Sequence, residues 1–116
     1  MKSQQLIFER PGIRETQSSD LYLSEVGKSV GVLIPSYRDM TAGDLIRLSL
    51  EFPYPDDSEH FEHVITNENV GKTITIEVLK QVFQDHLDKS VKVLYEVKRG
   101  TVSLGVSAIR GLKINP

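Results

Sequence analysis

The sequence predicts an all-β fold, an immunoglobulin-like antiparallel β-sandwich in outline, of about seven strands with one short helical crossover near residues 79–88. Three observations carry this reading. Runs of alternating apolar and polar residues, the mark of half-buried strands, recur along the chain. Pro, Gly, Asn and Asp punctuate them, as turns require. The period of two breaks once, at Leu79 to Lys89, and helical spacing replaces it.

The 116 residues are the size of one domain and are enough to enclose a core. Residues 1–20 read as a linker with an edge strand, and 21–116 as the sandwich domain. In the first part, Leu6-Ile7-Phe8 is a small apolar cluster, Pro11-Gly12 a turn signal, and Arg14 to Asp20 a polar stretch. Leu21-Tyr22-Leu23 is a very short strand. Lys28 to Ile34 is a better one, with Val30, Val32 and Ile34 on one face. Gly31 on the other face marks a close approach or a twist. Pro35 ends this strand by removing a donor.

Thr41-Ala42-Gly43-Asp44 is a turn that launches the cleanest strand. Ile46, Leu48, Leu50 and Phe52 point one way; Leu45, Arg47, Ser49 and Glu51 point the other. A one-residue slip would bury Arg47 and Glu51, so the register is specified. Pro53 and Pro55 stop the strand. Phe61, His63 and Ile65 share a face of the next strand, and Asn67 to Lys72 form a turn. Ile74, Ile76 and Val78 point inward from the strand after it.

At the break, Leu79, Val82, Phe83, His86 and Leu87 recur at helical spacing. One or two helical turns crossing between the sheets are expected, held by docking of Phe83 and Leu87. Ser90 to Ile114 then reads as two long strands around a tight turn at Lys98-Arg99-Gly100. Val91, Val93, Tyr95 and Val97 form one face of the first strand. Val102, Leu104, Val106 and Ala108 repeat the period on the second. Ile109 breaks that repeat, which predicts a bulge near Ala108-Ile109. Lys98-Arg99 at the tip is a small basic knob, too small to hold a nucleic-acid backbone.

Composition narrows the function. A formal net charge of -2 gives no basic footprint for nucleic acid. There are no cysteines, which excludes disulfides, thiolate zinc sites and cysteine nucleophiles. The N-terminus shows no apolar run of signal-peptide length, and no run is long enough to span a membrane as a helix.

Three stretches carry a family likeness: Val32-Leu33-Ile34-Pro35-Ser36-Tyr37-Arg38-Asp39-Met40-Thr41-Ala42-Gly43-Asp44, then Asn69 to Ile76, then Val91 to Val97. Together they resemble the bacterial immunoglobulin-like repeats found in tandem in large surface or secreted proteins of Gram-negative bacteria. The resemblance covers about residues 20–115, and Pro-x-Tyr-x-x-Met-x-x-Gly-Asp is its distinctive motif. It implies an immunoglobulin-like sandwich that serves as a non-catalytic spacer or adhesive module at the cell surface or outside the cell. The implied partners are neighbouring domains of the same chain and a host or cell-surface protein or carbohydrate. It implies no cofactor. The motif itself reads structurally: Pro35 ends a strand, Tyr37 and Met40 pack over the end of the core, Gly43 takes a positive φ, and Asp44 caps the turn.

The alternative is a stand-alone binding domain that uses the Pro53–His63 loop for a carbohydrate, a protein or Ca2+. Its contact residues would be Tyr54, Asp56, Asp57, Glu59 and His60. An aromatic between two prolines can stack on a partner, and carboxylates suit a hard cation. The spacing is not that of an EF-hand. His60 and His63 would point to opposite faces of a strand, which disfavours a shared transition metal. Asp85, His86, Asp88 and Ser90 hold acid–base and nucleophile types. Neighbours in a short amphipathic turn rarely make a catalytic geometry, and His86 is read as a satisfied packing residue.

Overall fold

Burial follows the alternation in four strands, Ser29–Ile34, Leu45–Glu51, Ile74–Leu79 and Ser90–Arg99. A computed structural model describes residues 6–53 and 58–116. Among the described residues ten strands form: β1 (Leu6–Phe8), β2 (Gly12–Ile13), β3 (Asp20–Tyr22), β4 (Ser29–Ile34), β5 (Leu45–Glu51), β6 (Glu59–Val64), β7 (Ile74–Leu79), β8 (Ser90–Arg99), β9 (Val102–Ser107) and β10 (Arg110–Asn115). One sheet has seven strands; the other has three, in the order β2-β4-β7. The two pack as a sandwich. Val30, Val32 and Ile34 of β4 and Val78 of β7 bury their side chains from the small sheet. Ile46, Leu48 and Leu50 of β5 and Val91, Val93, Tyr95 and Val97 of β8 meet them from the large one. At roughly 25 cal/mol per Å2 of apolar surface, this interdigitated layer is the dominant stabilising term.

The C-terminal hairpin forms the spine of the large sheet. β5 pairs antiparallel with β8 from Lys92 to Lys98 and so occupies one edge of it. β9 pairs with Glu96–Arg99 and β10 with Ser90–Val93. Both must lie on the other edge, so β9 and β10 are one long strand with a break at Ala108-Ile109. The register gains a residue across that break, where Ile109 interrupts the alternation. Ser107 fills the gap: its Oγ accepts the Tyr95 N–H at 2.9 Å and donates to the Ala108 carbonyl at 2.9 Å.

The face that β9 buries differs from the expected one. Val102, Val106 and Ala108 are exposed, and Gly105 and Ser107 are buried instead. The cause is register. A second shift falls between Val97 and Lys98. Buried Val97 therefore pairs with Gly105 and Val106 with Glu96 on the outer face, while Val102, opposite Arg99, is exposed beside the hairpin tip.

The N-terminal segment joins both sheets. β1 pairs parallel with β9, β2 antiparallel with β4, and β3 parallel with β10. Phe8, Ile13 and Leu21 are buried as it passes. Buried Arg110 holds the intervening loop by donating to the Thr16 and Ser18 carbonyls at 3.2 and 2.8 Å. Gly31 is a close approach: a Cβ there would sit 2.8 Å from the Arg14 guanidinium carbon.

A short helix, α1 (Lys80–Gln84), crosses from β7 of the small sheet to β8 of the large one. Phe83 docks and is fully buried. Leu87 does not dock: it is 41 % exposed, because the helix ends at Gln84. Asp88 then turns the chain with φ 66 and donates its N–H to the Ile114 carbonyl at 2.7 Å. Leu79 is the last residue of β7 and is likewise exposed.

Candidate functional site

The β4–β5 connection builds the most developed polar site. β4 ends at Ile34 and Pro35 blocks its extension. The chain bends through Asp39, at φ 63, and Gly43, at φ 98. Asp44 is almost fully buried, and its Oδ2 accepts the Thr41 N–H at 3.0 Å and the Tyr37 hydroxyl at 2.7 Å. The turn cap read from the motif is therefore present. Arg99 completes it, donating from Nε to Oδ1 at 2.8 Å and from a terminal nitrogen to Oδ2 at 3.0 Å. The same guanidinium reaches the Asp39 carbonyl at 2.9 Å. Arg99 is thus a clamp between the hairpin tip and the β4–β5 turn, and only Lys98 remains of the expected basic knob. Hydrogen bonding to Arg99 holds the Asp44 carboxyl below the usual carboxylate range, against the opposing effect of its burial.

Beside this clamp lies a cleft of about 290 Å3 lined by Phe8, Glu9, Pro35, Tyr37, Arg38 and Tyr95, with Ser36 at its side. The Phe8 ring meets Tyr37 edge-on at 5.1 Å and stacks on Tyr95 at 6.2 Å. The Tyr95 hydroxyl donates to the Glu9 carbonyl at 2.7 Å. Burial pushes the Tyr95 phenol up to about 12. Burial and the hydrogen bond to Asp44 raise Tyr37 as well. Both phenols stay protonated at neutral pH and act as donors to the protein itself. Their arrangement closes one end of the core, the role expected of Tyr37 and Met40; Met40 is buried.

The loop residues singled out in the sequence are not brought together in the described part. Tyr54, Asp56 and Asp57 lie outside the described residues. Glu59 and His60 begin β6, are exposed, and alternate faces as neighbours on a strand must. His60 Nδ1 lies 2.9 Å from Ser49 Oγ. His63 sits on the other face, partly covered. Among the described residues no group of three or more His, Asp or Glu could hold a metal ion.

His86 packs as expected, stacking on Phe52 with ring centroids 3.8 Å apart and planes 11° apart. Its hydrogen bonding departs from expectation, since buried Nδ1 has no partner among the described residues. Among the described residues, no hydrogen bond joins the His86 ring to Asp85, Asp88 or Ser90. A second polar cluster lies on the outside of the small sheet. Arg14 pairs with Glu77 at 2.6 and 2.9 Å and with Glu15 at 2.9 Å, and Ser29 donates to Glu77 at 2.6 Å. Arg14 and Glu77 are half-exposed, Glu15 is mostly covered, and together they tie β2, β4 and β7 to one another.

No family model, curated protein or solved structure matches this chain. Its function is therefore argued from its own geometry. Among the described residues no helix is long and apolar enough to cross a membrane.

Proposed function

We propose that this domain is a non-catalytic immunoglobulin-like module, a spacer or adhesive repeat of a larger bacterial surface or secreted protein. The observation that carries the proposal is the path of the chain. β1 runs beside β9, with Leu6 opposite Gly105 near the hairpin tip. β10 ends at Asn115, ten strand positions further along that same broken strand. At about 3.3 Å per residue, entrance and exit are roughly 30 Å apart, at opposite ends of the sandwich. A domain crossed from end to end adds length when placed in series with others.

The strand connectivity supports the immunoglobulin-like part of the proposal. The order β6-β5-β8-β9/β10 opposes β4-β7, and from β4 onward the chain changes sheets after β4, β6 and β7. Such a sandwich places its third, sixth and seventh strands opposite its second and fifth in this way. The polar clusters fit a structural role too: Asp44, Tyr37, Tyr95 and Arg110 all direct their hydrogen bonds to the protein itself.

An antibody raised to the domain tests the proposal on lysate and on surface and secreted fractions of the native source. A band far above 13.1 kDa in a surface or secreted fraction is expected. A cytosolic band near 13.1 kDa would overturn it.

A further inference from the structure

The large sheet ends in β6, and among the described residues β5 is its only strand neighbour. Such an edge presents unpaired backbone groups and is a template for another strand. The positions that point outward can be assigned. Ile65 donates its N–H to the Asp44 carbonyl at 2.8 Å, in continuation of the β5–β6 register. Antiparallel pairing alternates, so Glu59, Phe61 and His63 turn their backbone groups toward β5. His60, Glu62 and Val64 turn theirs to the open edge.

Charges on an edge ordinarily prevent pairing. Here their order does the reverse for one partner, a second copy of the same strand. The sequence is Glu59-His60-Phe61-Glu62-His63-Val64. Two antiparallel copies centred on Phe61 place His60 opposite Glu62 and Glu59 opposite His63, twice each. The register also satisfies the backbone, because His60 and Glu62 both carry outward groups and can exchange both bonds. Phe61 then faces its own copy across the two-fold axis as a non-hydrogen-bonded pair, the closer kind. Within one chain, Ser49 Oγ already engages His60 Nδ1, which leaves Nε2 for a carboxylate. Arg47 stands across the ladder from Glu62 on β5 and extends the alternation of sign.

The other long free edge lacks this property. β7 has one charged residue, Glu77, and Arg14 of the same chain holds it. We infer that the domain self-associates through β6, as an antiparallel β6–β6 pair centred on Phe61 that joins two large sheets edge to edge. This does not depend on whether the domain is one of a series.

Sedimentation velocity on the 116-residue chain, from micromolar to millimolar, is expected to show a species of twice 13.1 kDa. His60→Glu sets Glu against Glu62 in both symmetric pairs and should weaken association about tenfold or more. His60→Glu combined with Glu62→His exchanges the partners and should restore it. Because the chain has no cysteine, Phe61→Cys gives a test of register: it should oxidise readily to a linked dimer, and Val64→Cys should not. A single 13.1 kDa species at every concentration overturns the inference. So does association that His60→Glu leaves unchanged, or that the exchanged pair fails to restore.

Discussion

Asp44 is the residue on which the most depends. It is buried, and it accepts from Tyr37, Thr41 and Arg99 at once. Asp44→Ala would leave those donors without their acceptor, and unfolding in urea should show a loss of about 2 kcal/mol or more. Its pH dependence has a definite sign. The folded-state pKa lies below the unfolded one, so the stabilisation is complete above the usual carboxylate range. It is lost as pH falls through the folded value. Urea midpoints from pH 7 to pH 3 should therefore fall on acidification, and Asp44→Asn should flatten that fall. Half of this site was legible in the sequence. Gly43-Asp44 reads as a turn and its cap from local chemistry alone. The partnership with Arg99 was not legible, because 55 residues separate the two and only the β5–β8 register brings them together. Gly31 was legible as a close approach, but Arg14 as the group that approaches it was not.

At the scale of elements, the strands with one clean apolar face are legible, because a slip in β5 or β8 would bury charge. β9 is not, because a bulge leaves no fixed residue signature. Val102, Leu104 and Val106 alternate as an inward face does, but the shift within β9 turns Val106 out, leaves Leu104 only partly covered against the core and leaves Val102 exposed beside the hairpin tip. Ser107 accommodates the break that Ile109 reveals. Ser107→Ala should strand the Tyr95 N–H inside the sheet and cost about 2 kcal/mol by denaturant unfolding. The helical stripe is half legible for a related reason. Spacing predicts which residues share a face only while the helix lasts, and α1 stops before Leu87. Phe83→Ala should cost about 3–4 kcal/mol in a melt or urea titration. Leu87→Ala should change stability by about 0.5 kcal/mol or less.

At the scale of the whole molecule, two sheets, a helical crossover and an N-terminal segment that touches both layers enclose one core. The sandwich was legible because each of its main strands declares one buried face. The N-terminal pairing was less so, since β1, β2 and β3 have only two or three residues each and too little sequence to show a period. Yet that segment determines where the chain enters, and the exit at Asn115 lies along the same strand β1 flanks. The proposed role in series rests on this separation. The most direct measurement is a pulsed electron-paramagnetic distance between spin labels at Glu9→Cys and Pro116→Cys, in a chain with no other cysteine. A narrow distribution near roughly 25 Å is expected, since Glu9 lies beside Ala108 and eight strand positions lead from there to Pro116. A distance under about 15 Å would place both ends on one side of the sandwich and contradict a module that the chain crosses from end to end.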